Sequence, residues 1–339
     1  MKVRVRDIAA RANVSPATVS NALNGKPGVG REVTERILAI ASEMGYTLKQ
    51  KPEQHNHIRL IVFKVHGQVV MDTQFFGELI ESIQRECQKA KLELIVSHVH
   101  AAVDKHWREQ VREFCAEECG GIILLGTEMG SEELALFSSC ASPLVVLDNL
   151  CRHEPFHAVV MNNYMAGFKA TEALYRAGHR QIAHLTSSIP FSNMRYRRKG
   201  YEAAMAEFGL TGAVDCWALR PTIEGAYTDM KRLLETGRSL PTAFFAGNDI
   251  MAIGALRAMG EAGLSVPDDI SIIGMDDTDL CLACNPPLST IRVYRKELGI
   301  AAMRTLVSVI PDLKSSTVKT ELDVELVQRN TVRILSGQQ

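Results

Sequence analysis

From residue 58 onward, short apolar runs alternate with amphipathic segments, and this alternation limits the possible folds more than any other feature of the sequence. Helical periodicity falls between the apolar runs, at 75–90, 104–118, 163–177, 193–208, 222–236, 248–263 and 295–309. The strand-like runs themselves lie at 59–65, 92–99, 121–125, 143–148, 158–161, 181–186, 242–246 and 270–274. Alternation at this spacing is typical of parallel sheets covered by helices on both faces. We therefore predict an α/β architecture for this part of the chain.

Polar side chains follow many of these apolar runs, where the predicted strands end. Ligands of such sheets bind at the carboxyl ends of the strands, beside helix N-termini. Carboxylates, amides and arginines near aromatic rings bind polyhydroxyl compounds through paired hydrogen bonds and stacking. The Asp and Asn residues would equally serve as caps of the following helices, and Asn248 fits that alternative best. The segments concerned are 66–76, 127–128, 148–149, 187–197, 248–249 and 276–277.

The first fifty residues predict three short helices. The first carries its apolar side chains within Val5–Ala12 at i, i+3, i+4 and i+7. Ser15 fits an N-cap and Pro16 fits the first helical position, so a second helix begins there. A third spans about 31–44. Two short helices joined by a tight turn and backed by a third are typical of a helix-turn-helix, although a bundle that binds another protein would show the same pattern.

Charge is distributed unevenly along the chain. Residues 1–57 carry nine Lys and Arg against five Asp and Glu, whereas the remainder carries 29 against 34. A basic head on an acidic body favours a polyanion-binding module joined to a second function. No apolar run reaches the roughly 18 residues of a spanning helix, and no apolar signal core follows the basic N-terminus. We therefore expect a cytoplasmic protein with no membrane partner.

The eight cysteines are scattered through helical and strand-like segments, and we expect them to be unpaired thiols. The close pairs are Cys115 with Cys119 and Cys281 with Cys284, and a zinc or redox site would need a second ligand pair that the sequence does not offer. No nucleophile–base set and no glycine-rich phosphate loop supports an enzyme. We expect no catalytic residues, no metal and no cofactor.

The run from Val5 to Gly25 resembles the DNA-binding head of the lactose-repressor (LacI/GalR) family, and the segment from Thr34 to Tyr46 continues the likeness. Further segments resemble the effector core of that family, which is similar to the type I periplasmic sugar-binding proteins. They are 145–148, 177–184, 248–255, 266–277, 287–291 and 325–329. The resemblance implies an all-α helix-turn-helix head followed by a two-lobed α/β core.

The resemblance also implies the domain limits. The helix-turn-helix domain is expected at 1–47, an atypical linker at 48–57, and an effector-binding and dimerisation domain at 58–335. Within the last, one lobe is expected to comprise about 58–160 and 292–320, and the other about 161–291 and 321–335.

The resemblance implies which residues bind DNA and which bind the effector. Bases are read where Pro16, Ala17 and Asn21 fall, and phosphates are held where Ser15, Thr18 and Asn24 fall. The remaining expected DNA-binding residues are Arg4, Arg6 and Ser20. The expected effector contacts are Phe75, Asp148, Arg195, Arg197, Asn248 and Asp276, with Lys64, His66, Asp72, Phe76 and Glu128 as further candidates.

Two features depart from the family pattern. Most members carry Arg where this chain has Asn21, and since Arg favours guanine and Asn favours adenine, we predict an altered half-site preference. The segment 47–57 is polar, with one leucine, and Pro52 opposes a helix across its middle. It therefore lacks the leucine-bearing hinge helix that the family wedges into the minor groove.

These observations predict a homodimeric repressor of genes for carbohydrate uptake or metabolism. It would bind a near-palindromic double-stranded operator, and a small effector between the lobes would change its affinity for that operator. A sugar or sugar phosphate fits the polar cleft, although a purine would also fit. A sugar-processing enzyme and an exported solute-binding protein are the alternatives, and neither explains the basic head.

Overall fold

The computed structural model describes residues 3–23, 28–46, 56–70, 74–310 and 316–335. All but the last two residues of the predicted linker lie outside these ranges, as do Asn24 and Asp72. The chain divides into two compact units, 1–55 and 56–339.

Three helices form the first unit: α1 (Val5–Ala12), α2 (Pro16–Leu23) and α3 (Arg31–Glu43). Ile8, Val19 and Ile37, one from each helix, are fully buried in its small core. The predicted N-cap of α2 is confirmed, because the Ser15 hydroxyl oxygen accepts a hydrogen bond of 3.0 Å from the backbone N–H of Thr18. The three predicted helices are therefore present within one residue of their expected limits.

The second unit contains two six-stranded sheets, each of which organises one lobe. The strands of the first sheet are β1 (His57–Lys64), β2 (Glu93–His100), β3 (Gly121–Leu125), β4 (Leu144–Leu147), β5 (His157–Met161) and β11 (Lys319–Leu322). They are parallel throughout and lie in the order β11-β5-β4-β3-β1-β2. The helices of this lobe are α4 (Gln74–Lys89), α5 (Trp107–Ala116), α6 (Ser131–Ala135) and α12 (Arg295–Val309).

Both faces of the first sheet are buried along its four inner strands, β1, β3, β4 and β5, which explains their nearly continuous apolar sequences. Along β1, Leu60 and Val62 belong to the core that includes residues of α4 and α12, whereas Ile61 and Phe63 belong to the core that includes residues of α5. Successive side chains of a strand point to opposite faces, so one strand serves both cores. The predicted parallel α/β architecture is confirmed.

The second sheet has the same layered plan. Its strands are β6 (Ile182–Ser187), β7 (Asp215–Leu219), β8 (Ala243–Ala246), β9 (Ser271–Asp276), β10 (Ser289–Arg292) and β12 (Glu325–Val327). They lie in the order β12-β10-β9-β8-β6-β7, and only the pairing of β12 with β10 is antiparallel. The helices are α7 (Asn163–Arg176), α8 (Ser192–Glu207), α9 (Ile223–Glu235), α10 (Asp249–Glu261) and α11 (Leu280–Ala283), with a 3₁₀ turn at Thr211–Ala213. The chain passes between the two lobes after β5, after β10 and after β11.

Two features differ from the sequence predictions. The strands β7, β10, β11 and β12 were not predicted; β7 lies at a sheet edge, and β10, β11 and β12 have only three or four residues each. Cys115 and Cys140 form a disulfide, whereas unpaired thiols were expected. The chain after α6 returns to the end of α5, where the N–H of Ala141 donates to the carbonyl of Cys115 at 2.9 Å and so brings the two cysteines together.

Helices α7 and α8 pack closely because each has a glycine at their crossing. A Cβ atom at Gly167 would overlap the backbone carbonyl of Arg197, and one at Gly200 would overlap the carbonyl of Tyr164. Both obstacles are backbone atoms, which cannot rotate away as a side chain can. The close approach also brings Asn163, the first residue of α7, to the side chain of Arg197.

We expect Gly200→Ala to destabilise the protein by about 1–3 kcal/mol, since overpacking forces the two helices apart. The matched control is Gly77→Ala in the exposed part of α4, where an added Cβ meets nothing within 4 Å. That change removes a helix-interior glycine and is expected to stabilise by roughly 0.5–1 kcal/mol. Urea unfolding measures both variants, and a neutral Gly200→Ala would contradict the packing described.

Candidate effector cavity and DNA-binding helix

A cavity of about 580 Å³ lies between the two lobes. The first lobe contributes Val69, Gln74, Phe75, Phe76, Thr127, Asp148 and Met161 to its wall. The second lobe contributes Phe191, Asn193, Arg197, Thr222, Ile223, Asn248, Ile250, Asp276, Thr278, Asp279 and Leu280. Aromatic rings beside carboxylates, amides and one guanidinium give a concave site with convergent polar groups, the usual character of a small-molecule site.

The guanidinium of Arg197 is buried in the cavity wall, with 5% of the residue exposed. Its Nε donates to Oδ1 of Asn163 at 2.8 Å, its Nη1 donates to the carbonyl of Gly247, and its Nη2 lies 3.5 Å from Sδ of Met161. Burial lowers the pKa of the guanidinium, and nearby carboxylates oppose that effect. All three nitrogens are thus directed to uncharged acceptors.

Asp148 follows β4 at the point where the two lobes meet. Its Oδ2 accepts from the Thr127 hydroxyl at 2.7 Å, and its Oδ1 accepts from Nδ2 of Asn193, on the other lobe, at 2.9 Å. The residue adopts a left-handed backbone conformation with φ of 61°. Burial raises the pKa of this carboxyl to about 6, against the opposing effects of the Thr127 hydroxyl, the Arg197 charge and Asn193.

Asp276 and Asp249 place two further carboxyl groups in this region. Asp276 ends β9 with φ of 123°, and its side chain is half-buried at the cavity wall. Asp249 lies behind the wall, where Oδ1 accepts from the Thr290 hydroxyl at 2.6 Å and Oδ2 accepts from the backbone N–H of Thr278 at 3.2 Å. Burial raises the pKa of both carboxyls above the ordinary aspartate value.

Helix α2 presents a surface of small polar and apolar side chains. Pro16 and Ala17 are exposed, and Thr18 and Asn21 are half-buried. The Ser15 and Thr18 hydroxyl oxygens lie 2.8 Å apart at the start of the helix. Small side chains on the outward face of a capped helix allow the close approach that a DNA groove requires.

The comparisons with known proteins agree with this architecture. Residues 4–48 match the model of bacterial regulatory proteins of the lacI family, and 171–332 match a periplasmic binding protein-like domain. The ribose operon repressor of Haemophilus influenzae is 30% identical over 339 residues, covering 97% of this chain and 98% of the relative. The chain belongs to the LacI family.

Two further similarities cover the whole architecture. The HTH-type transcriptional repressor PurR of Histophilus somni is 29% identical, covering 98% of this chain and 99% of that protein. The solved lac repressor dimer, bound to operator and the anti-inducer ONPF, superposes with a TM-score of 0.73 at 24% identity, covering 98% of this chain and 100% of that one. The predicted fold class, a helix-turn-helix head with a two-lobed α/β core, is confirmed.

The structure brings together most of the effector contacts expected from the LacI family. Phe75, Asp148, Arg197, Asn248 and Asp276 all line the cavity, as does the further candidate Phe76. Asn248 is also the N-cap of α10, since its Oδ1 accepts from the N–H of Met251 at 2.8 Å. The capping alternative and the cavity position therefore both apply to this residue.

Arg195 does not line the cavity, in contrast to the prediction. It is exposed, and its guanidinium lies over the ring of Tyr196, 5.7 Å from the centroid. Each residue advances by about 100° around the axis of an α-helix, so residues two apart point to nearly opposite sides. Helix α8 therefore cannot direct both Arg195 and Arg197 inward.

Glu128, Lys64 and His66 also lie outside the cavity wall. The buried Glu128 carboxylate accepts four backbone N–H groups at 2.9 Å, from His66 and Gly67 at one oxygen and from Val69 and Val70 at the other. Burial opposes ionisation of Glu128, but these four bonds outweigh it, and its pKa is lowered. Glu128 therefore holds the loop 66–70, which places Val69 in the wall, rather than touching the cavity itself.

Several residues of the cavity wall were not predicted as contacts. Asn193 and Phe191 lie within the segment 187–197 that the sequence singled out, but the pattern did not distinguish them from their neighbours. Thr127 was likewise in a highlighted segment, and its hydroxyl holds Asp148. Gln74 connects the lobes, since its Oε1 accepts from the N–H of Asp279 at 2.9 Å. No sequence pattern reveals a contact between residues so far apart.

The described residues offer neither a metal centre nor a membrane-spanning helix. No group of three or more His, Cys, Asp or Glu within them could hold a metal ion. None of the helices among them has both the length and the apolar character that a membrane crossing requires. The CxxC pair shows no metal-site geometry, because Cys281 directs its thiol to Oδ2 of Asp249 at 3.0 Å while Cys284 directs its thiol to the carbonyl of Leu280.

The raised pKa of Asp148 predicts a pH dependence of stability. Because the pKa of about 6 in the folded protein exceeds the ordinary value of 3.8, the folded state binds the proton more tightly. The free energy of unfolding should therefore fall as the pH rises from about 4 to about 6, by about 3 kcal/mol from this group.

Asp148→Asn should abolish this contribution, since the amide keeps the shape of the protonated carboxyl and does not ionise. Urea unfolding of the variant and the wild type at pH 4, 5, 6 and 7 measures the difference. Parallel pH profiles for the two proteins would show that Asp148 is not desolvated as described.

Proposed function

We propose that this protein is a DNA-binding transcriptional repressor of the LacI family whose affinity for its operator changes when a polyhydroxyl effector binds between the lobes. The proposal rests on the fact that one chain combines two features. It has a capped helix-turn-helix head, and it has a separate cavity that is lined by convergent polar groups. The name of the Haemophilus influenzae relative, ribose operon repressor, supports a sugar as the effector and carbohydrate genes as the target.

The DNA-binding part rests on α2. Its N-terminal residues would enter the major groove, with Pro16, Ala17 and Asn21 at base edges and Ser15, Thr18 and Ser20 near the backbone. Arg4 and Arg6 at the start of α1 would contact phosphates and contribute a salt-dependent, sequence-independent affinity. One head makes too few contacts for selective binding, so we propose a homodimer on a near-palindromic operator in the cytoplasm.

The effector part rests on the walls of the cavity. Hydroxyl groups of a sugar would donate to Asp148, to Asp276 and to Oδ1 of Asn193, while Phe75, Phe76 and Phe191 would cover its apolar ring faces. Because these residues belong to different lobes, an effector that bridges them would favour one lobe arrangement. If that arrangement changes how the heads meet DNA, the effector and the operator change each other's affinity by the same factor.

Fluorescence anisotropy with duplex DNA from the promoter region of the protein's own gene tests the proposal. We expect selective binding that weakens steeply with salt. Ala17→Asp, which places a negative charge on the outward face of α2, should lower the affinity at least about 100-fold through repulsion of the phosphates. Ala10→Asp is the matched control, an exposed alanine on α1, and should cost much less. Selective binding that survives Ala17→Asp would rule out α2 as the reading helix.

Asn21 predicts the base preference of the half-site. Selection from a randomised duplex library should return adenine where Asn21 reaches, and Asn21→Arg should shift the preference to guanine. Each bidentate contact is worth about 1–3 kcal/mol, so the shift should be several-fold or more. Recovery of the same half-site by both proteins would show that this side chain does not read the base.

A further inference from the structure

Two residues behind the cavity wall, Arg295 and Glu78, form an ion pair near the starts of α12 and α4. Nε of Arg295 donates to Oε2 of Glu78 at 3.2 Å, and its Nη2 donates to Oε1 at 3.4 Å. The side chain of Arg295 is 10% exposed and that of Glu78 is 26% exposed. Paired hydrogen bonds between a guanidinium and a carboxylate fix the direction of both groups. The ion pair therefore gives these two helices of the first lobe a common fixed point.

The guanidinium of Arg295 also reaches the second lobe. Its Nη1 donates to the backbone carbonyl of Asp276 at 2.6 Å and to that of Asp277 at 3.2 Å. These two aspartates have φ angles of 123° and 55°, and positive φ is uncommon for residues other than glycine unless surrounding contacts favour it. Arg295 supplies two such contacts at the end of β9. It thereby helps to set the direction in which the side chain of Asp276 points at the cavity wall.

Glu78 extends the connection along α4. Its Oε1 also accepts from Nε2 of Gln74, one turn earlier, at 2.9 Å, and Oε1 of Gln74 accepts from the backbone N–H of Asp279 at 2.9 Å. These partners allow one orientation of the Gln74 amide, because an N–H requires an acceptor and a carboxylate requires a donor. The connection that leaves the second lobe at the carbonyls of 276 and 277 thus returns to it at the N–H of 279. We call this closed circuit of Arg295, Glu78, Gln74 and the segment 276–279 the interlobe ring.

The interlobe ring places wall residues from both lobes. Gln74 of the first lobe lines the cavity, as do Asp276, Thr278 and Asp279 of the second. A site whose polar groups are already held in the binding orientation loses less free energy in ordering them when a ligand enters. The ring therefore prepares the cavity before it is occupied.

We propose that Arg295 and Glu78 are positioning residues for the effector, which hold Gln74 and Asp276 in the orientation in which a ligand meets both lobes at once. This inference rests on the proposed function, because it concerns the binding of the same effector. It gives the two residues no contact with that effector. Their replacement should therefore weaken effector binding through Gln74 and Asp276, while the fold of each lobe is kept.

Hydrogen exchange of the full chain without any ligand tests whether the ring holds the segment 276–279. In Glu78→Gln the side chain keeps its size but loses its charge and one acceptor, so the amide hydrogen of Asp279 should exchange at least about tenfold faster. Glu81→Gln is the matched control, because it breaks an exposed ion pair with Arg85 on the same helix. It should leave the exchange rate within about twofold of that of the wild type. An unchanged rate at Asp279 in Glu78→Gln would overturn the proposal.

Titration calorimetry with D-ribose tests whether the ring prepares the cavity. D-ribose is the probe because the Haemophilus influenzae relative is named the ribose operon repressor. We expect Glu78→Gln and Arg295→Lys each to weaken its binding at least about tenfold, since lysine keeps the charge but cannot span the carboxylate and both carbonyls at once. Glu81→Gln should change the affinity less than about twofold. Binding as tight as that of the wild type in both ring variants would contradict the proposed role.

The operator affinity at saturating D-ribose separates positioning from a merely structural role. If the ring only prepares the cavity, enough D-ribose holds the lobes in the variants as it does in the wild type. The operator affinities of Arg295→Lys and the wild type should then be equal at saturation, and the variant should need more D-ribose to reach that value. Unequal affinities at saturation would show that the replacement damages the fold, and the positioning role would fall.

These outcomes are separable from a failure of the proposed function. If D-ribose does not bind the wild type, ribose is not the effector, and the exchange rate at Asp279 decides by itself whether the ring positions the segment 276–279. If the full chain binds no promoter DNA, the repressor function falls, while hydrogen exchange and D-ribose titration still decide the roles of Arg295 and Glu78.

Discussion

The buried guanidinium of Arg197 is the interaction on which the geometry of the cavity depends. It connects α8, which carries it, to the start of α7 through Asn163 and to the end of β8 through the carbonyl of Gly247. The glycines at the crossing of α7 and α8 allow the two helices to approach closely enough for these bonds. One side chain therefore fixes three elements that surround the cavity.

Around this guanidinium the two lobes meet through a few polar contacts. Asn193 donates to Asp148 across the cleft, and the N–H of Asp279 donates to Gln74. Directional bonds of this kind are worth about 0.5–1.5 kcal/mol each, so a ligand with comparable bonds can compete with them or reinforce them. Under the proposed function, a small molecule bound between the lobes would change their arrangement by shifting that balance.

Much of the fold could be predicted from the sequence, because strands buried on both faces read as continuous apolar runs and helices as amphipathic ones. The sequence did not predict the edge strand β7 or the short strands β10, β11 and β12. None of these strands forms a long apolar run that stands out from the amphipathic segments around it. The cavity residues at strand ends, such as Asp148 and Asp276, could be predicted for the same topological reason. Arg195 and Glu128 could not be placed correctly, since the orientation of a side chain on α8 or in the turn after β3 depends on tertiary contacts.

Contacts between distant segments could not be predicted from the sequence either. Nothing in the pattern shows that the Asp277 carboxylate is neutralised by Arg292 and Arg329, which lie 15 and 52 residues later in the chain. Nor does the spacing of Cys115 and Cys140 show that a returning loop joins them. Properties of this kind come from packing, and the structure is needed to see them.

We propose that the cavity around Arg197 controls DNA binding without taking part in it. Arg197→Met keeps the bulk of the side chain and removes its charge and its hydrogen bonds. Operator affinity of the variant should be measured by anisotropy with and without the compound that most stabilises the wild type. We expect operator binding close to that of the wild type and loss of the response to the compound. A full response in the variant would contradict it.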